Sequence, residues 1–76
     1  MFAIQNRRTG KFVYGTDYCY PRHQRTDFER MLTYDEYRFA ECDFLSRGCG
    51  KDYRIVELDP VKVKRVLPPV EGERHR

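Results

Sequence analysis

At 76 residues the chain is one domain with a thin core, because a chain this short buries only about 60% of the surface its unfolded form exposes; a cleft walled by two lobes is excluded. Charged residues make up 36% and aromatic residues 14%, a globular composition in which five Phe and six Tyr fill a small core with few side chains. Fifteen Lys and Arg against twelve Asp and Glu leave a net charge of +3, which favours an acidic partner but is far from a histone-like balance.

Met1 to Asn6 lacks the basic segment and apolar run of a signal peptide, and no stretch approaches the roughly 20 apolar residues that span a bilayer. A cytoplasmic protein without membrane contact is expected. Cys19, Cys42 and Cys49 make an odd set, which fits reduced thiols better than a disulfide scaffold.

Phe2-Ala3-Ile4-Gln5-Asn6 alternates large apolar with small or polar residues, Arg7-Arg8-Thr9-Gly10 carries turn chemistry, and Lys11-Phe12-Val13-Tyr14 resumes a β-rich run. The pattern predicts a β-hairpin with Gly10 at positive φ, which a residue without Cβ adopts at little cost. Gly15 to Met31 sustains neither the strand nor the helix period and is expected to be an ordered but irregular loop. Such long loops are uncommon in compact domains and are often functional.

Thr33-Tyr34-Asp35-Glu36 has the capping-box pattern and predicts that a helix starts here, with Asp35 and Glu36 complementing the positive end of its dipole. Arg47 falls in the expected last turn, and Gly48 and Gly50 supply the stop. At about 100° per residue, Tyr34, Tyr37, Ala40, Phe44 and Leu45 gather on an inner face. Phe39 falls off that stripe, either packed against the preceding loop or exposed for a partner.

Asp52 to Leu58 reads as a strand returning to the hairpin, and Asp59-Pro60 interrupts it. Val61 to Leu67 alternates, with Val61 and Val63 on one side and Lys62 and Lys64 on the other, as in a half-buried edge strand guarded by lysines. From Pro68 onward the apolar content is too low to pack, so residues 68–76 are expected to be a flexible tail that adds nothing to the core. The expected fold class is α+β: a small antiparallel sheet of three to four strands packed on one helix, in the order β-β-α-β-β, within a single domain over residues 1–67.

Cys19, His23, Cys42 and Cys49 are the set from which a tetrahedral zinc site can be assembled. Structural zinc ligands, however, usually come in pairs about two to four residues apart, and Cys42 and Cys49 do not. Thiols packed as small hydrophobes account for them, so no metal and no cofactor are expected. A Cys–His nucleophile would have to use His23, because His75 lies in the expected tail, and nothing pairs His23 with a thiol. Asp35/Glu36 and Glu41/Asp43 are explained by a helix cap and a solvated face, and Gly48-Cys49-Gly50-Lys51 lacks the spacing of a phosphate-binding loop. No catalytic apparatus is expected.

Tyr18, Tyr20, Arg22, His23 and Arg25 interleave rings with cations, a pattern able to stack bases and hold phosphates or to anchor a protein interface. Arg7, Arg8 and Lys11, or Lys62, Lys64 and Arg65, can extend such a patch, whereas Asp17, Asp27 and Glu29 dilute it. A plainer alternative packs Tyr18 and Tyr20 over the sheet without a partner.

The runs Phe2 to Asn6, Thr9 to Asp17, His23-Gln24-Arg25-Thr26 and Cys49 to Val56 resemble small uncharacterised proteins encoded by phages and integrative elements of Gram-positive bacteria. The resemblance implies an accessory protein made inside a bacterial cell, of the kind that includes anti-CRISPR proteins and other compact inhibitors acting by occupying a surface. The expected function is therefore a non-enzymatic binding protein that inhibits a host defence nucleoprotein such as a CRISPR effector, with direct nucleic-acid binding as the alternative. Its expected contact residues are Tyr18, Tyr20, Arg22, His23, Arg25 and Phe39, and its expected partner a host protein or nucleoprotein complex. An exposed edge strand leaves monomer and homodimer both open.

Overall fold

A computed structural model describes residues 1–59 and 62–70. Its elements are β1 (Phe2–Asn6), β2 (Phe12–Asp17), β3 (His23–Asp27), α1 (Tyr37–Ser46), a single 3₁₀ turn (Gly50–Asp52), β4 (Tyr53–Leu58) and β5 (Val63–Val66). The strands form one antiparallel sheet in the order β3-β2-β1-β4-β5, so the α+β class stands. The chain order is β-β-β-α-β-β with five strands, not the expected β-β-α-β-β. The additional strand is β3, inside the segment expected to be irregular.

The first hairpin forms as expected, with Gly10 at φ 80° in the turn. Asn6 Oδ1 accepts the amides of Arg8 and Thr9 at 2.9 Å each, an Asx arrangement that supplies the turn with acceptors. β1 pairs along its full length with β4 but meets β2 at the single register position Gln5↔Phe12. Its other end is occupied by the segment after β3: Phe2 and Tyr34 exchange backbone hydrogen bonds at 2.8 and 2.9 Å, and the Leu32 amide donates to the Val13 carbonyl at 3.0 Å. These residues form a wedge between the two strands.

The wedge corrects the expected helix start. Both backbone groups of Tyr34 are engaged by β1, so the chain stays extended there, and the Thr33–Glu36 capping box does not form. Glu36 is the N-cap with extended φ and ψ and no side-chain cap bond, and the first turn has no acidic residue. The stop is as expected: Gly48 takes φ 65°, its amide donates to the Leu45 carbonyl at 3.1 Å, and the Cys49 amide donates to the Phe44 carbonyl at 3.2 Å. Arg47 is the C-cap and lies just past the last turn.

Apolar side chains pack on both faces of the sheet. On the helix side Ile4, Val13, Ala40, Phe44, Cys49, Ile55 and Val70 form the main cluster, flanked by Phe2, Tyr34, Tyr37, Tyr53 and Leu67. On the other side Ala3, Phe12, Val56 and Leu58 are covered by Met31. Of the predicted helix stripe, Ala40 and Phe44 are buried and Tyr34 and Tyr37 half-buried, whereas Leu45 is exposed.

Two further expectations change at the C-terminal end. Val70, placed by sequence in a tail without core contacts, is 1% exposed and belongs to the main cluster. Residues 68–70 bring Val70 into the helix-side cluster, so one apolar residue suffices. β5 is an edge strand as expected, but all four of its residues are exposed, Val63 included, although their partners Val56 and Leu58 on β4 are buried. Pro60, Val61 and residues 71–76, including His75, lie outside the described residues. Among the described residues no helix is long and apolar enough to cross a membrane.

Candidate functional site

Strand β3 is polar throughout, His23-Gln24-Arg25-Thr26-Asp27, and its position follows from hydrogen bonding rather than apolar burial. Opposite residues of an antiparallel pair share a face, so Thr16 and Gln24 point together toward the helix while Asp17 and His23 point away. A bulge in β2 leaves Tyr14 without an opposite number between the Val13↔Thr26 and Gly15↔Arg25 pairs.

On the helix side a closed hydrogen-bond circuit joins the hairpin to the end of α1. Thr16 Oγ1 donates to Gln24 Oε1 at 2.6 Å, Gln24 Nε2 donates to the Arg47 carbonyl at 2.8 Å, and Arg47 Nη1 donates back to Thr16 Oγ1 at 2.9 Å. Arg47 Nε also donates to Asp43 at 2.7 Å, and the Tyr34 hydroxyl donates to the same carboxylate. The Asp43 bond holds the Arg47 guanidinium even more firmly protonated than usual, and burial, followed by the Asp43 carboxylate, raises the Tyr34 phenol above its ordinary range. Gln24 is buried, so the circuit satisfies a polar group that would otherwise lose its water.

The circuit anchors the β2–β3 tip. Tyr18, Cys19, Tyr20, Pro21 and Arg22 form with Gly48 a shallow depression at the C-terminal end of α1. The Tyr20–Pro21 peptide is cis. Tyr20 is 100% exposed and Tyr18 59%, which removes the plain alternative of rings packed over the sheet. The Arg22 guanidinium lies over the Tyr18 ring, 5.6 Å from its centroid, and passes so close to Gly48 that a Cβ there would stand 2.9 Å from Nη1.

The remaining predicted residues divide between two other surfaces. Arg25 and His23 are exposed on β3, and Arg25 bonds Asp17 at 2.5 Å, which holds the Asp17 carboxyl below the usual carboxylate range. Phe39 is 49% exposed with the Arg38 guanidinium 5.1 Å from its centroid. It lines a separate depression with Tyr34, Cys42, Asp43 and Ser46, so its ring stands half in water.

Cys19 lies at the tip, where its thiol donates to the Pro21 carbonyl at 3.4 Å, Cys42 lies on the outer helix face, and Cys49 is buried in the core. Among the described residues no three His, Cys, Asp or Glu side chains are grouped to hold a metal ion.

Sequence reasoning missed two cation–aromatic pairs between distant residues and the anchoring circuit. Arg30 stacks over Tyr14 at 4.1 Å and Lys11 over Phe28 at 5.6 Å, and neither pair has a local spacing that announces it. Thr16, Gln24 and Arg47 are likewise distant in sequence, and only a polar residue at an otherwise extended position hints at such a role. No family model, curated protein or solved structure matches this chain.

Proposed function

We propose that this protein is a non-enzymatic binding protein that recognises a host protein or nucleoprotein complex through the β2–β3 tip. The observation that carries the reading is Tyr20, fully in water on a loop whose base is tied down by the circuit of Thr16, Gln24 and Arg47. An aromatic ring held in solvent adds nothing to folding, but presented on an ordered loop it buries a large area on binding at little entropic cost. Arg22 over Tyr18 adds a planar cation beside it, and Tyr and Arg are the residues most enriched among interface hot spots.

The resemblance to phage and integrative-element proteins makes a CRISPR effector complex the first partner to test, with this chain as an inhibitor that occupies a surface. A photoreactive phenylalanine at position 20, irradiated in bacteria that express the effector, is expected to capture one discrete effector subunit. DNA cleavage by the purified effector is expected to fall in the presence of the protein and to recover with Arg22→Ala. Unimpeded cleavage together with diffuse crosslinking refutes the reading.

A further inference from the structure

A second surface runs along the face of the β2–β3 hairpin turned away from α1, and it uses none of the tip residues. The bulge in β2 turns Tyr14 to the same side as Arg25, and the Arg30 guanidinium stacks on the Tyr14 ring at 4.1 Å. At the other end of the hairpin Phe28, 60% exposed, carries Lys11 at 5.6 Å from its centroid. Asp27 sets the chain that delivers Phe28 and Arg30: its carboxylate accepts the amides of Glu29 and Arg30 at 2.9 and 3.0 Å. Those two bonds hold the Asp27 carboxyl below its ordinary range. Among the described residues neither Lys11 nor Arg30 makes a salt bridge, although the charges of both act on the nearby Asp27 carboxylate, while Arg25 is matched by Asp17.

We propose that this strip of Lys11, Phe28, Tyr14, Arg30 and Arg25 binds single-stranded nucleic acid. Unpaired bases offer π faces to an exposed Phe and to the outer face of a guanidinium already stacked on Tyr, and the neighbouring cations reach phosphates. A duplex keeps its bases stacked on one another and so forfeits the aromatic half of the strip. At about 3.3 Å per residue the six residues of β2 extend ~20 Å, room for about four nucleotides, the low end of known site sizes. The inference is independent of the tip reading: it concerns different residues and a different chemical class of ligand.

The test is fluorescence anisotropy of the full chain with a labelled single strand of about 15 nucleotides, the corresponding duplex and an acidic peptide. Single-strand binding is expected to exceed duplex binding. With Lys11 and Arg30 each neutralising one phosphate, and Arg25 already paired with Asp17, affinity falls about sevenfold between about 50 and 200 mM salt. Phe28→Ala is expected to weaken binding about tenfold. Arg30→Gln lowers the salt slope by about 0.7 and, being a surface change, leaves the fold intact.

Tyr20→Ala/Arg22→Ala leaves single-strand affinity unchanged. Absence of binding at low salt overturns the proposal, as does equal binding of duplex or of the acidic peptide. Loss of binding in the tip variant with retention in Arg30→Gln overturns it too, because the ligand would then sit on the tip. Crosslinking from position 20 reports on the tip separately, so either reading can fail while the other survives.

Discussion

Gln24 Nε2 donates to the carbonyl of Arg47 at 2.8 Å, which ties the outermost polar strand of the sheet to the residue that ends the helix. A helix leaves its last carbonyls without intrahelical donors, and here a side chain from β3 satisfies one of them. Gln24 thus fixes β3 to the domain in place of the apolar contacts that the strand lacks.

Gln24→Ala therefore leaves the Arg47 carbonyl without its donor and the Thr16 hydroxyl without its acceptor at a part-buried site. The expected cost is about 2 kcal/mol in urea-induced unfolding. Hydrogen exchange at residues 16–24 is expected to speed up more than at β1 and β4. Uniform acceleration across the sheet would mean that the circuit holds the whole domain and not the hairpin in particular.

Gly48 is constrained twice, by φ 65° and by Arg22, whereas Gly50 has φ 73° with nothing within 4 Å of its virtual Cβ. Both Gly→Ala substitutions carry the left-handed backbone cost of about 1 kcal/mol. The second constraint is soft, because the Arg22 guanidinium is the far end of an exposed, flexible side chain and can swing aside, so Gly48→Ala is expected to cost no more than Gly50→Ala. Thermal melts of the two variants test this directly; a clearly larger loss for Gly48→Ala, absent in the Arg22→Ala background, would show that Arg22 is held rigidly against Gly48.

Tyr34 makes stability depend on alkaline pH. Burial and the Asp43 carboxylate raise its phenol above the ordinary value of 10.0, so folding favours the neutral ring. A raised folded value gives stability that is complete below the unfolded pKa and declines as pH rises from about 10 toward the folded value. Burial raises Tyr37 in the same direction, so Tyr34→Phe is expected to make the alkaline loss of stability shallower without abolishing it. An unchanged slope between wild type and Tyr34→Phe would contradict the assignment.

Val70→Ala is expected to destabilise the protein by about 2 kcal/mol, since it removes methyl groups from a fully buried site. Val63→Ala on exposed β5 is the comparison, expected within about 0.5 kcal/mol of wild type. Equal effects would mean that Val70 does not pack in the core in solution.

Elements written in local code were legible without a structure. Alternation and Gly10 determined the β1–β2 hairpin, a β-rich run determined β4, and Gly48 determined where α1 stops, because each rests on the preference of a few adjacent residues. Tyr18, Tyr20 and Arg22 stood out by their residue types, and the structure places them together at the tip. Tertiary structure decided the rest. β3 has no apolar face, and the hydrogen bond of Gln24 to Arg47 requires the end of the helix beside it. The capping box at Thr33 lost to a backbone pairing between Tyr34 and Phe2 that brings its own two hydrogen bonds. Val70 became core by joining the helix-side cluster, and Arg30 met Tyr14 through a bulge and a turn. In each case the deciding partner is distant in sequence, and a residue's own preference, worth about 1 kcal/mol or less, yields to the hydrogen bond or burial that the partner supplies.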